Sequence, residues 1–170
     1  MGNTILLTGH PGCGKTTLIL YILERLSIPA GGFYTQELRE DGKRKGFELI
    51  TMDGKREILA HIDLHSTSRV GKYGVNLSAL NDLAVVSIHD SMASGKLIVI
   101  DEIGPMENTS PLFRNTVIEA LESSMTVLGT IVQRSTPFTD QIKRLPQVST
   151  FTVDTHNPKA LVEEILKKLL

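Results

Sequence analysis

A chain of 170 residues, 41% hydrophobic and 22% charged, is long enough for one domain with a real core and too apolar to remain disordered. Its formal net charge of -1 gives no long-range pull toward nucleic acid or anionic membranes, and no apolar run reaches the length of a membrane span. The single cysteine, Cys13, excludes an internal disulfide and suits a reducing cytoplasm.

Thr4 to Thr8 is a short apolar run ending at Gly9, the pattern of a buried parallel strand. From Lys15 the period changes: Leu18, Ile19, Ile22, Leu23 and Leu26 share one helical face, and Pro29 stops the helix. Gly32 to Arg39, Lys45 to Met52 and Arg56 to His61 read as an antiparallel meander joined at Asp41-Gly42 and Asp53-Gly54, forming an edge or an appendage on a mostly parallel sheet. His65 to Asn76 is polar and basic, with Gly71 and Gly74, and reads as a loop. Ser78 is the expected cap of a helix running to about Ala93, with Leu80, Leu83, Ala84, Ile88 and Met92 inward, while Val85-Val86 leaves a strand open there. Leu97 to Ile100 is a second buried strand, closed by Asp101-Glu102. Ser110-Pro111 opens a helix to about Ser123. Val127 to Val132 is a third buried strand, Thr139 to Arg144 a short helix, and Thr150 to Val153 a last strand. Asn157-Pro158 opens a final helix with Leu161, Val162, Ile165, Leu166 and Leu169 inward and Glu163/Lys167 and Glu164/Lys168 paired outward. Strands alternating with helices predict an α/β fold of three layers around a parallel sheet, as a single domain over residues 1–170.

The chemistry concentrates in two places. Gly9-His10-Pro11-Gly12-Cys13-Gly14-Lys15-Thr16, followed by Thr17, has the spacing G-x-x-x-x-G-K-T between a strand and a helix, the setting of a phosphate-binding P-loop. Its glycines let amide hydrogens point inward at phosphates, and the helix adds its positive end. Lys15 is placed to reach the β- and γ-phosphates and the Thr16 hydroxyl to ligate Mg2+. Asp101 and Glu102 end a buried strand at the mouth of the same crevice. There Asp101 can hold the metal and Glu102 can activate the attacking water as general base. Arg69, Lys72 and Arg134 are candidates to stabilise charge on the transferring phosphoryl group, and Thr130 and Gln133 to sense the γ-phosphate. Asp101-Glu102-Ile103-Gly104 also matches the D-x-x-G of GTPases, but the N-K-x-D that selects guanine is absent, which favours broad nucleotide use.

Four segments, GHPGCGKTTL from Gly9, GFYTQELREDGKRKGF from Gly32, RVGKYGVNL from Arg69 and VIDEIGPME from Val99, resemble those of the THEP-type nucleoside-triphosphatase family. The G-F-Y-T-x-E and D-E-I-G-x-M-E segments, in this order, are far more specific than the P-loop. The resemblance implies a RecA-like P-loop NTPase core in which the strand after the Asp-Glu strand lies between it and the P-loop strand. It also implies slow hydrolysis of NTP (ATP, GTP, CTP or UTP) to NDP and phosphate with Mg2+. By resemblance the nucleotide site is Gly9 to Thr16 together with the strand Val99, Ile100, Asp101, Glu102, Ile103 and Gly104. The competing readings are a nucleoside or nucleotide kinase, although the segment after Asp101 is not arginine-rich, and an NTP switch that acts through a protein partner the residues do not name.

Overall fold

Successive side chains of a strand point to opposite faces of a sheet, so a continuous apolar run needs cover on both sides. The computed structural model, which describes residues 2–153 and 156–170, supplies that cover with helices on both faces. Nine strands form one sheet: β1 (Thr4–Thr8), β2 (Ala30–Glu40), β3 (Lys43–Thr51), β4 (Arg56–His61), β5 (Arg69–Val70), β6 (Tyr73–Val75), β7 (Leu97–Ile103), β8 (Val127–Ile131) and β9 (Val148–Thr152). Their order is β5-β6-β4-β3-β2-β7-β8-β1-β9. From β2 to β9 the neighbours run parallel, and from β2 to β5 they run antiparallel.

The helices are α1 (Lys15–Leu26), α2 (Val85–Ser94), α3 (Pro111–Glu122), α4 (Pro137–Lys143) and α5 (Pro158–Leu169). Alternation along the strands feeds two cores. Ile5, Leu7, Val99 and Leu128 pack with Leu18, Ile19 and Ile22 of α1 and Val162 and Ile165 of α5. Leu6, Ile98 and Ile100 face the other way, onto Ile88 of α2, Phe113 and Val117 of α3 and Ile142 of α4. This is the expected three-layer α/β architecture with a mostly parallel sheet. β8 lies between β7 and β1, as in a RecA-like core.

The antiparallel strands form an edge of the same sheet, as expected: β2 pairs with β7 through Ala30 to Phe33 and with β3 through Phe33 to Glu40. The Asp41-Gly42 turn does form, with φ of 51° and 73°. Several local expectations change. Residues 65–76 are not all loop: β5 and β6 make a small hairpin about Gly71-Lys72, and β6 extends the sheet by pairing with β4. Tyr73 secures it by packing edge-on to Phe47, with centroids 5.5 Å apart. Ser78 does not cap its helix. Its backbone is already helical, and its N–H donates to Asn76 Oδ1, so Asn76 caps from two residues earlier. That helix opens with a π-helical stretch, Ala79–Ala84, before continuing as α2. On α5 the i,i+4 ion pairs give way to tertiary contacts. Glu163 meets Arg25 of α1 at 3.5 Å, and Lys168 Nζ lies 5.8 Å over the Phe151 ring. Among the described residues no helix is long and apolar enough to cross a membrane.

Candidate active site

In a parallel sheet the loops leaving the carboxyl ends of the strands share one edge, and the chemistry of this chain collects there. β1 runs into the loop Gly9 to Gly14, and α1 begins at Lys15. Gly12 and Gly14 have φ of 78° and 91°, a region that a side chain disfavours, so glycine is needed at both turns. Within the loop the Cys13 N–H donates to the His10 carbonyl at 3.1 Å. Gly14 is the cap of α1 and supplies no side-chain acceptor for the first amides of the helix. His10, Pro11 and Thr17 are exposed, and Cys13 is half-buried.

Lys15 lies across this loop. Its Nζ donates to the Gly9 carbonyl at 3.0 Å and stands 3.6 Å from Glu102 Oε2. Thr16 Oγ1 donates to Asp101 Oδ2 at 2.5 Å, and Thr130 Oγ1 donates to Asp101 Oδ1 at 2.6 Å. Asp101 is only 2% exposed, so these donors stand in for the water that burial removes. Burial still pushes its pKa upward, against the hydrogen bonds and the nearby Lys15 charge. Burial also raises the pKa of Glu102; Lys15 opposes the rise and Asp101 reinforces it. A carboxyl shifted upward is a stronger base once ionised, which suits abstraction of a proton from water.

The chain between these groups is shaped to aim them. β7 pairs Ile100 with Gly129 and then Ile103 with Ile131, so β7 carries one residue more than β8 over the same interval. Such a bulge re-aims side chains where a ladder opens. The Asp101–Glu102 peptide is cis. Gly104 lies against the Glu102 side chain: a Cβ added there would sit 2.5 Å from Glu102 Oε1. Glu107 begins a short 3-10 turn, Glu107–Thr109, and is 4% exposed. Its type and spacing alone assign it no role. Burial, with Glu102 and Asp101 nearby, pushes its carboxyl well above the usual range. The sequence signal for it is an acid five residues past Glu102, in a segment too short to leave the site.

The remaining candidates separate. Val99, Ile100 and Ile103 are fully buried in the two cores and contribute the strand itself rather than a contact surface. Thr130 is committed to Asp101, while Gln133 is exposed. Arg69 is not brought to the P-loop. It lies on β5, seven strands along the sheet from β1, and its guanidinium donates to the Leu64 and Lys72 carbonyls. Lys72 stands over the Tyr73 ring in the same hairpin. Arg134 is exposed on the segment after β8 and makes no side-chain hydrogen bond or ion pair among the described residues. It lines a cleft of about 410 Å³ with Pro105, Asn108, Arg114, Val132 and Phe138, beginning three residues past Glu102.

Hard oxygen donors suit Mg2+, which is commonly held by one or two protein oxygens together with substrate phosphates. The Thr16 hydroxyl and Asp101 carboxylate, in contact with each other beside the start of α1, could supply such oxygens. Comparison with known proteins bears on the family and the fold. A family model described as NTPase matches residues 4–166. The nucleoside-triphosphatase THEP1 of Thermotoga sp. (strain RQ2) is 49% identical over 97% of this chain and 94% of its own. The crystal structure of THEP1 from Aquifex aeolicus superposes with a TM-score of 0.88 at 36% identity, covering 96% of this chain and 97% of that one. The solution structure of a human cancer-related nucleoside triphosphatase gives 0.82 at 34% identity, covering 99% and 97%.

Proposed function

Because this chain belongs to the nucleoside-triphosphatase family typified by THEP1, we propose that it hydrolyses nucleoside triphosphates to the diphosphate and phosphate with Mg2+, slowly and with little discrimination among ATP, GTP, CTP and UTP, in the cytoplasm. The observation that supports the reading is Lys15 Nζ at 3.6 Å from Glu102 Oε2, the separation wanted of a lysine read as binding phosphate beside an acid read as the base. The loop amides and Lys15 hold the β- and γ-phosphates. Glu102 takes a proton from water as the water oxygen bonds to the γ-phosphorus. The bond to the bridging oxygen breaks, and the diphosphate leaves. Thr16 and Asp101 are the residues that would hold Mg2+, whose charge neutralises the phosphates when bound. Slow turnover fits a site in which Lys15 is the only cation in ion-pair contact with Asp101 or Glu102 among the described residues. An arginine acting on the γ-phosphate is what accelerates related reactions, by about 10³-fold or more. Lack of N-K-x-D supports the broad base range.

A second reading, phosphoryl transfer to an acceptor, draws on the cleft lined by Arg114 and Arg134. One experiment separates the two: phosphate release from the four NTPs by wild type, Lys15→Ala and Glu102→Gln, with and without nucleoside or nucleotide acceptors. Hydrolysis predicts phosphate without acceptor, loss of turnover in both variants, and retained nucleotide binding in Glu102→Gln. Full activity in Glu102→Gln removes that residue from the base role. Product appearing only with an acceptor favours the kinase.

A further inference from the structure

A lysine in the last turn of a helix ordinarily faces that helix's own last carbonyls. Lys143, in the last turn of α4, reaches elsewhere. It is half-buried, and its Nζ crosses to the end of β8, where it donates to the Val132 carbonyl at 3.0 Å and to the Gln133 carbonyl at 3.4 Å. Among the described residues no carboxylate pairs with it. Other ties hold the same short segment. The Val132 N–H donates to the Ile103 carbonyl of β7 at 3.2 Å, and the Thr139 hydroxyl donates to the Arg134 carbonyl at 3.2 Å. Ile142, next to Lys143, is fully buried in the core, which keeps the anchor in place. The carbonyls of Val132, Gln133 and Arg134 are thus all tied to α4. The Gln133 side chain, by contrast, is exposed and makes no hydrogen bond among the described residues.

The location of the segment gives these ties a use. β8 lies between the P-loop strand and the Asp101 strand. Thr130, near its end, reaches Asp101, which in turn accepts from Thr16 at the start of α1. Gln133 follows where the chain leaves the sheet at the edge that carries the P-loop. A fixed backbone that presents a free amide preorganises a contact to a charged group. We propose that Lys143 is a positioning residue for hydrolysis: its ammonium holds the Val132 and Gln133 carbonyls, and so fixes the turn that presents the Gln133 amide to the γ-phosphate. The proposal rests on the reading of Gln133 as a γ-phosphate contact. Methionine at position 143 keeps most of the aliphatic stem and removes the cation, whereas arginine keeps a cationic donor. Without the cation the two carbonyls turn to water and the turn shifts. A displacement near 1 Å costs about 100-fold in rate, so a shift of about half that costs about tenfold.

The test measures steady-state phosphate release, affinity for a non-hydrolysable triphosphate analogue and thermal melting for wild type, Lys143→Met, Lys143→Arg, Gln133→Ala and the double variant Lys143→Met/Gln133→Ala. Lys143→Met is expected to lose about tenfold in kcat while still binding the analogue, and Lys143→Arg to recover most of that loss. Gln133→Ala is expected to lose at least as much, and adding Lys143→Met to it should cost less than about twofold more, because a turn that presents nothing has no rate to lose. Full kcat in Lys143→Met with only a lower melting temperature, or an equal further loss when Gln133 is already alanine, overturns the positioning role. Lys143→Leu makes the same comparison if the methionine variant does not fold. An impaired Gln133→Ala beside a fully active Lys143→Met refutes this inference alone. A fully active Gln133→Ala refutes the γ-phosphate contact beneath it, and no phosphate from wild type refutes the hydrolysis reading itself.

Discussion

Gly104→Ala is the sharpest probe of how the base is held. Gly104 has no left-handed φ, so alanine suits its backbone. The new Cβ would stand 2.5 Å from Glu102 Oε1, 3.1 Å from its Cγ and 3.2 Å from its Cδ, whereas ordinary contact begins at 3.4 Å. The tightest contact therefore requires a shift of about 0.9 Å, the difference between 3.4 and 2.5 Å, and what must move is the end of a flexible, partly exposed side chain. Such a shift costs little in folding, so the melting temperature should change by no more than about 2 °C, under roughly 1 kcal/mol. It is costly in rate: a misplacement near 1 Å corresponds to about 100-fold in kcat, or roughly 2.7 kcal/mol of barrier. The assay is steady-state phosphate release at saturating NTP, with analogue affinity measured alongside. In a Glu102→Gln background the same substitution should have almost no further effect, because the group it displaces has already lost its function. A kcat within twofold of wild type refutes the reasoning, as does an equal additional loss in the Glu102→Gln background.

Other expectations follow from the same geometry. Glu107 has a folded pKa raised above its unfolded value, so it binds a proton more tightly when folded. Its contribution to stability is greatest at acid pH and is lost as pH rises through the folded value. Glu107→Gln should therefore melt higher than wild type at pH 7 to 8, with the gain shrinking toward pH 4, about the ordinary carboxylate range; a constant difference across pH contradicts this. Ser110→Ala removes the acceptor for the Phe113 N–H and the donor to Asn81 Oδ1, both at a fully buried residue. It should cost about 2–3 kcal/mol in denaturant unfolding, with specific activity of the folded protein unchanged. Alkylation of Cys13, which lies within the phosphate loop, should block triphosphate binding, and bound nucleotide should slow the labelling; equal labelling rates with and without nucleotide refute it.

The parallel half of the fold was legible because its strands are unbroken apolar runs and its helices have explicit ends: Ser110-Pro111 and Asn157-Pro158 both cap as their residue types predict. The P-loop and the Asp101-Glu102 pair were legible because their chemistry lies in contiguous residues. What was missed depends on tertiary pairing. β5 and β6 are too short to show a period and exist because β4 offers an open edge. Asn76 displaces Ser78 as cap because the chain turns two residues earlier than the hydroxyl pattern suggests. Arg69 read as a site residue because its loop carried glycines and bases, but sheet order carries it to the far edge. Glu107 stood in the quoted motif without a role because an acid in a turn normally faces water, and the fold buries it.

Placing β8 between β1 and β7 has a consequence for the growing chain. Thr16 and Asp101, which touch in the folded protein, are 85 residues apart in sequence. At roughly 5–20 residues per second of synthesis, the acid emerges about 4–17 s after the loop, and the strand that separates them later still. Until β8 inserts between β1 and β7, nothing fixes the spacing between Lys15 and Glu102, the proposed base. On the proposed roles, the nascent chain can therefore meet triphosphate without consuming it, and catalytic competence arrives together with β8.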